Sequence, residues 1–274
     1  MNVLLRRELP PLLGAIHDPP RQLYLRGRSD AELLQRPCVA IVGARACSPY
    51  GAQVARMLGR ELAAAGVVVV SGLARGIDGE AHRGALDTDG HTVAVLGCGI
   101  DSDYPAAHAS LARKIEERSL IVSEYEAGVE PAPWRFPARN RIIAGLCAAT
   151  VVVEARERSG ALITADFALE EGREVFAVPG EITSALSAGT NALLRLGATP
   201  LTSTDDVFEL FGLEPSAEGP KQAHPLLEHL PASVDELARS TQLDAAQLAS
   251  TLAELELAGL VFEGEGIFRR TAAG

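Results

Sequence analysis

Four short stretches set glycine beside arginine, a carboxylate or a small hydroxyl residue. They are Gly43-Ala44-Arg45, Ser71-Gly72-Leu73-Ala74-Arg75-Gly76-Ile77-Asp78, Gly97-Cys98-Gly99-Ile100-Asp101 and Arg158-Ser159-Gly160. Glycine lets the backbone come close to an anion, and a helix that starts at such a place aims its free N–H groups there. Arg45, Arg75 and Arg158 would add charge-assisted hydrogen bonds to phosphate oxygens. One loop of this kind says little, because many α/β loops carry glycine only to turn. Several of them, converging on one edge, point to a phosphate-bearing ligand.

A fifth stretch adds aromatic rings. Pro133-Trp134-Arg135-Phe136-Pro137-Ala138-Arg139-Asn140-Arg141 reads as a loop running into a helix over 142–148. Arginines interleaved with Trp134 and Phe136 suit a single polynucleotide strand, whose phosphates meet the cations while its bases stack on the rings. The same rings could instead pack the loop onto the core. Asp78 and His82 stand four apart, as a general base and its orienter would. The simpler reading is an acidic first helical turn that complements the helix dipole, followed by a solvated histidine. Glu124 could bind a sugar hydroxyl or cap a turn. No residue is assigned a catalytic role.

The elements that must position these residues follow from hydrophobic pattern. Val39–Val42, Val67–Val70, Thr92–Leu96, Leu120–Val122, Thr150–Val153 and Glu174–Val178 are short, β-branched and apolar, as strands buried on both faces of a parallel sheet should be. Helical patterns separate them. Over 51–65, Val54, Leu58 and Leu62 recur four apart, and Gly66 provides the stop. Alternation of this kind predicts a doubly wound, Rossmann-like α/β sheet with ligands at the carboxyl ends of its strands. The glycine and arginine loops fall at those ends.

The expected boundaries are a lead-in over 1–37, with Tyr24–Gly27 as an edge strand, a sheet domain over 38–212, a linker over 213–224 and a small domain over 225–274. In the last, capping boxes at Ser233/Glu236 and Asp244/Gln247 start helices. A helix over 245–258 buries Leu248, Leu252 and Leu255 and stops at Gly259, and a Gly264-Glu265-Gly266 turn makes a hairpin. That succession predicts a winged helix-turn-helix.

Composition narrows the function classes. The net charge of −11 disfavours a protein that coats nucleic acid indiscriminately. The runs 33–60 and 131–149 nevertheless hold arginines and no acid. Cys38, Cys47, Cys98 and Cys147 form no CxxC pair and read as buried apolar residues in a reducing cytoplasm, and no metal or cofactor is expected. No apolar run is long enough for a membrane span.

Several segments, in order and spacing, resemble the DprA/Smf family: VAIVGAR at 39–45, SGLARGID at 71–78, VAVLGCG at 93–99, FPARNRIIAGL at 136–146, EARERSGALITA at 154–165 and AVPG at 177–180. Gly189-Thr190-Asn191-Ala192-Leu193-Leu194 and Gly197-Ala198 match as well, so the resemblance spans about 20–212. It implies an extended Rossmann fold, a homodimer, single-stranded DNA as ligand, and loading of the RecA recombinase during natural transformation. By motif it implies DNA contacts at Arg45, Arg75, Phe136, Arg139, Asn140 and Arg141, beside Gly43 and Gly72, with Ser159, Gly160 and Thr164 lining the same pocket. Phosphates would be clamped by Arg45, Arg139 and Arg141. Many family members begin with a helical domain, whereas only a short stretch precedes residue 20 here. Leu201 and Val207–Phe211 are a candidate dimer surface, or they simply cover the last strand.

Two other classes compete. Phosphoribohydrolases share a related sheet but carry a Pro-Gly-Gly-x-Gly-Thr-x-x-Glu loop, where this chain has Ser159–Asp166 without the glycine run. A ligand-responsive transcription factor would need its winged helix to read DNA. Over 222–274 three arginines face eight acidic residues, and the expected recognition helix carries Glu254 and Glu256 with no cation. A groove reader must neutralise phosphates, so this module reads as protein-binding or regulatory.

Overall fold

The computed structural model describes residues 2–213, 225–241, 243–257, 260–264 and 266–270. The expected linker therefore lies, apart from Leu213, outside the described residues, as do Gly259 and Glu265. The chain forms two compact units, Met1–Pro215 and Ser216–Gly274.

The apolar runs form strands β3 (Cys38–Val42), β4 (Val68–Ser71), β5 (Thr92–Leu96), β6 (Leu120–Ser123), β7 (Ala149–Val152) and β8 (Glu174–Ala177), and all but the last are buried at every position. Two strands precede them, β1 (Asn2–Leu5) and β2 (Gln22–Gly27), and the short β9 (Thr199–Pro200) follows. The nine-stranded sheet has the order β1-β2-β6-β5-β4-β3-β7-β8-β9. Strands β6 through β9 pair in parallel, and β1–β2 and β2–β6 are antiparallel. Strand order reverses between β3 and β7, the switch point at which such sheets bind ligands.

The lead-in is thus not separate from the sheet. Leu23 and Leu25 of β2 join the same core as Val93, Val95 and Val122. Tyr24–Gly27 is an inner strand rather than an edge, because β1 covers its outer side.

Helices cover both faces. On one lie α1 (Pro11–Gly14), α5 (Arg135–Leu146), α6 (Gly160–Glu170) and α7 (Ala188–Arg195), which share a core with Val68, Val70, Val93 and Val95. On the other lie α2 (Pro49–Ala64), α3 (Ile77–Leu86), α4 (Ala109–Arg118) and α8 (Asp205–Phe211), packed on the alternate residues Val39, Ile41, Val69, Ala94 and Leu96. Leu201, Val207 and Phe208 are buried in this second core. They cover the end of their own sheet, while Leu210 of the same segment is exposed.

The four cysteines are free, and three of them are buried. Burial pushes the Cys38 thiol up to about 12. His82 is fully buried, not solvated. Thr92 Oγ1 donates to Val69 O at 2.7 Å, so it accepts from His82 Nδ1–H at 2.6 Å. Burial, with the charges of His108, Arg139 and Arg83, holds the His82 imidazole down to about 3.

The second unit has its own core of Leu226, Leu227, Leu237, Leu248, Leu252, Leu255 and Val261. It comprises β10 (Ala232–Ser233), α9 (Val234–Ser240), α10 (Ala245–Leu257) and the hairpin β11 (Val261–Gly264) with β12 (Ile267–Arg270). Ser233 and Glu236 form the expected capping box, and Asp244 and Gln247 exchange equivalent bonds. The segment before β10 is a 3-10 turn, Pro225–His229, rather than an α-helix.

Candidate nucleic-acid interface

A cleft of about 390 Å³ opens over the carboxyl ends of β3 and β7. Its floor starts with Val42 and Gly43, and the chain then turns outward to Arg45. That turn is fixed from two sides: Ala44 N donates to Glu154 O at 2.7 Å, and Ile77 N donates to Ala44 O at 3.2 Å. Ser48 caps α2 by accepting from Gly51 N, and its own N and hydroxyl donate to the buried Glu154 carboxylate. Glu154 therefore serves the scaffold. Arg45 itself is exposed, with its guanidinium 5.7 Å from the centroid of the Phe136 ring.

The second wall is the loop after β4. Leu73 there has φ 59°, the one non-glycine residue with positive φ among the described residues. Such strain survives only where surrounding structure enforces it. The Leu73 side chain is buried, and the His108 ring Nδ1 lies 2.9 Å from its carbonyl oxygen. The twist lets Gly72 N and Ala74 N donate to one oxygen of Asp78, at 3.1 and 3.3 Å. Burial raises the Asp78 carboxyl above the usual range, opposed by Arg139, these two amides and Arg45. Asp78 lines the cleft, which reading it as a dipole-complementing carboxylate did not anticipate. Arg75, exposed on the same loop, lines an adjoining recess with Gly72, Gly97, Tyr104 and Phe136.

The third wall is α5, which begins at Arg135, seven residues before the helix start expected from sequence. This changes where its arginines go. Positions two apart on a helix point about 200° away from each other. Arg139 enters the cleft side and is only 5% exposed. Its guanidinium donates to Gly72 O at 2.7 Å, to Val95 O, and through Nε to Asn140 Oδ1. Burial pulls its pKa down and the Asp78 charge opposes this. Arg141 leaves on the other side, where it bonds Glu124 at 2.7 Å and Asp18 at 3.0 Å. It does not line the cleft, so the expected three-arginine clamp loses this member to the protein's own carboxylates.

Phe136 and Asn140 stay on the cleft side. Phe136 stacks on Tyr104, with centroids 5.3 Å apart and planes at 25°. Asn140 Nδ2 donates to Gly160 O at 3.1 Å, tying α5 to the start of α6. Ser159 caps α6, accepting from Ala161 N, and Ser159, Gly160 and the buried Thr164 close the cleft. The positive end of the α6 dipole thus forms one wall. A Cβ built on Gly160 would meet nothing within 4 Å, so the fold leaves room there. Arg158 is exposed in a neighbouring groove between α6 and α7 that shares Ser159 and Gly160.

Ten of the eleven residues expected at the site, all but Arg141, gather around the cleft and its adjoining recess. Sequence reasoning missed Tyr104 and Asp78. The Asp78 signal was present in the SGLARGID run, but Tyr104 sits in a loop with no motif. Among the described residues, no group of three or more His, Cys, Asp or Glu is placed to hold a metal ion, and no helix is long and apolar enough to cross a membrane.

A doubly wound sheet whose switch point opens into a glycine-floored cleft, with free arginines and a helix N-terminus at its walls, defines a Rossmann-like protein whose cleft has the features that suit an anion. Residues 2–212 match the family model described as DNA recombination-mediator protein A, and residues 214–266 match that of the DprA winged helix domain. The chain belongs to this DprA/Smf family of DNA recombination-mediator proteins. It is 42% identical to the putative DNA processing protein DprA of Mycobacterium tuberculosis, over 93% of this chain and 70% of that protein. The crystal structure of DNA processing protein A from Streptococcus pneumoniae aligns with a TM-score of 0.73 at 45% identity, over 78% of this chain and 74% of that one. The Helicobacter pylori protein, described for its single-stranded DNA binding mode, aligns with a TM-score of 0.70 at 33% identity, over 77% and 94% of the two chains.

Proposed function

We propose that this protein binds single-stranded DNA in the cleft, without turnover, and acts as a homodimer in the bacterial cytoplasm to protect incoming strands and load RecA on them during natural transformation. The observation that carries the reading is the state of its cations. Arg45 and Arg75 are exposed beside the Phe136–Tyr104 stack and have no ion pair among the described residues. Phosphates meet Arg45, Arg75 and the start of α6, and a base meets Phe136. The winged helix, acidic over its longer helix, binds protein rather than DNA. The solved Helicobacter pylori relative, described as binding single-stranded DNA, supports the choice of ligand.

The test is a salt series with oligo(dT). Arg45→Ala is expected to weaken binding by about 1–3 kcal/mol and to lower the salt slope by roughly 0.7. Equal affinity and equal slope for the variant and wild type would remove the cleft from consideration. Matched duplex and single-stranded gel shifts, followed by a RecA pull-down, address strand preference and partner. Free base released from nucleoside monophosphates would instead favour a hydrolase.

A further inference from the structure

Beyond the cleft, the rim holds a second aromatic group that the reading above does not use. Strands β5 and β6 are neighbours in the sheet, and the loop after each carries a tyrosine, Tyr104 and Tyr125. Each tyrosine meets a ring from the start of α5. Tyr104 stacks on Phe136, and Tyr125 meets Trp134 edge-on, with centroids 6.5 Å apart and planes at 86°. The Arg135 guanidinium lies 4.8 Å from the Trp134 centroid and 5.0 Å from that of Tyr125. It is pinned there by donating to Glu130 O. Trp134 is nonetheless 63% exposed and belongs to none of the sheet's cores. A large ring held rigidly by a cation and a second ring, yet left in solvent, is built for contact rather than for folding.

We propose that Trp134, backed by Arg135 and Tyr125, is a stacking platform for a second nucleobase of the strand held at Phe136, which extends the reading of the cleft as a single-strand site. Neighbouring strand ends in a sheet lie ~4.8 Å apart. A polynucleotide that follows the rim from β3 toward β6 therefore meets the Phe136–Tyr104 station first and the Trp134–Tyr125 station next. The loop that carries Tyr125 also carries the exposed Glu126 and Glu130. They repel phosphate, so the contact is to the face of a base. Stacking of this kind needs no cation and tolerates any sequence. An exposed tryptophan can also anchor a protein partner, but the continuity of this platform with the cleft favours the strand.

The chain has a single tryptophan, so its intrinsic fluorescence reports on this platform alone. The intact protein is titrated with end-labelled oligo(dT), and tryptophan emission is read together with label anisotropy. Emission is expected to quench in step with the anisotropy rise. Trp134→Ala is expected to weaken binding roughly 5- to 100-fold at an unchanged melting temperature, and Trp134→Phe to restore most of the affinity. If anisotropy saturates while emission stays constant and Trp134→Ala binds like wild type, the platform is wrong and the cleft stands. If anisotropy never rises, the cleft reading fails and takes the platform with it. Emission that changes with protein concentration alone, without DNA, overturns the proposal in favour of contact between copies.

Discussion

Arg139 and Arg45 line one cleft and do opposite work. Arg139 turns its Nη1 and Nε donors inward to Gly72 O, Val95 O and Asn140, holding α5 against the strand ends, whereas Arg45 is exposed. Removing Arg139 strands buried carbonyls that charged donors had satisfied, and each such bond contributes about 1.5–3 kcal/mol. Arg139→Met should therefore lower the melting temperature and abolish strand binding together. Arg45→Ala should weaken binding and leave the melt where it was, and a paired set of melts and titrations separates the two. His82 makes a different demand. Its folded-state pKa of about 3 lies below the ordinary value of 6.5, so the fold favours the neutral ring. The stability it contributes is present above about pH 6.5 and is lost as pH falls toward 3, at about 1.4 kcal/mol per pH unit. His82→Asn, whose amide can donate to Thr92 in place of Nδ1–H, should flatten that acid slope in denaturant melts between these pH values. None of this was legible from residue type, since a histidine four places from an aspartate on a helix looks the same whether buried or wet.

The strands and the glycine loops could be read because each carries its information locally, as a continuous apolar run closed by glycine. The start of α5 could not. Pro133 and Pro137 suggested a loop, yet proline is tolerated in the first helical turn, where the amide it lacks has no partner anyway. The family motif places Arg141 among the DNA contacts, whereas the helix turns it toward Asp18 and Glu124. The early strands were underestimated for a related reason: β2 joins the sheet through β6, far along the chain, and β1 joins only through β2. The junction of the first two loops is the most demanding point of the site. Gly76 has φ 73°, and a Cβ there would lie 2.2 Å from Ala44 O. Gly76→Ala should destabilise the domain by about 1–3 kcal/mol or more, and it should displace Arg45 and Arg75 together. A thermal melt with an oligo(dT) titration would show both losses. A variant that melts and binds normally would mean that this junction does not set the arginines.

The whole chain is acidic, and its cleft is not. A local cationic site on a body of net charge −11 should bind a strand with pronounced salt sensitivity yet avoid coating it without limit. The division at Pro215 allows a direct check of where that binding resides. A chain ending at residue 215 keeps all three sheet cores, and it should retain the oligo(dT) affinity of the full protein. A drop of tenfold or more would make the winged helix a nucleic-acid contact after all.

The cleft takes its walls from positions as distant as Gly43 and Thr164, so no short stretch of the chain contains it. Recognition and native structure are then a single equilibrium. A bound strand raises the melting point by mass action, and damage far from the cleft, at Leu58 or Ile121 in the packed interior, will pass for a contact mutation in any assay run near the transition temperature.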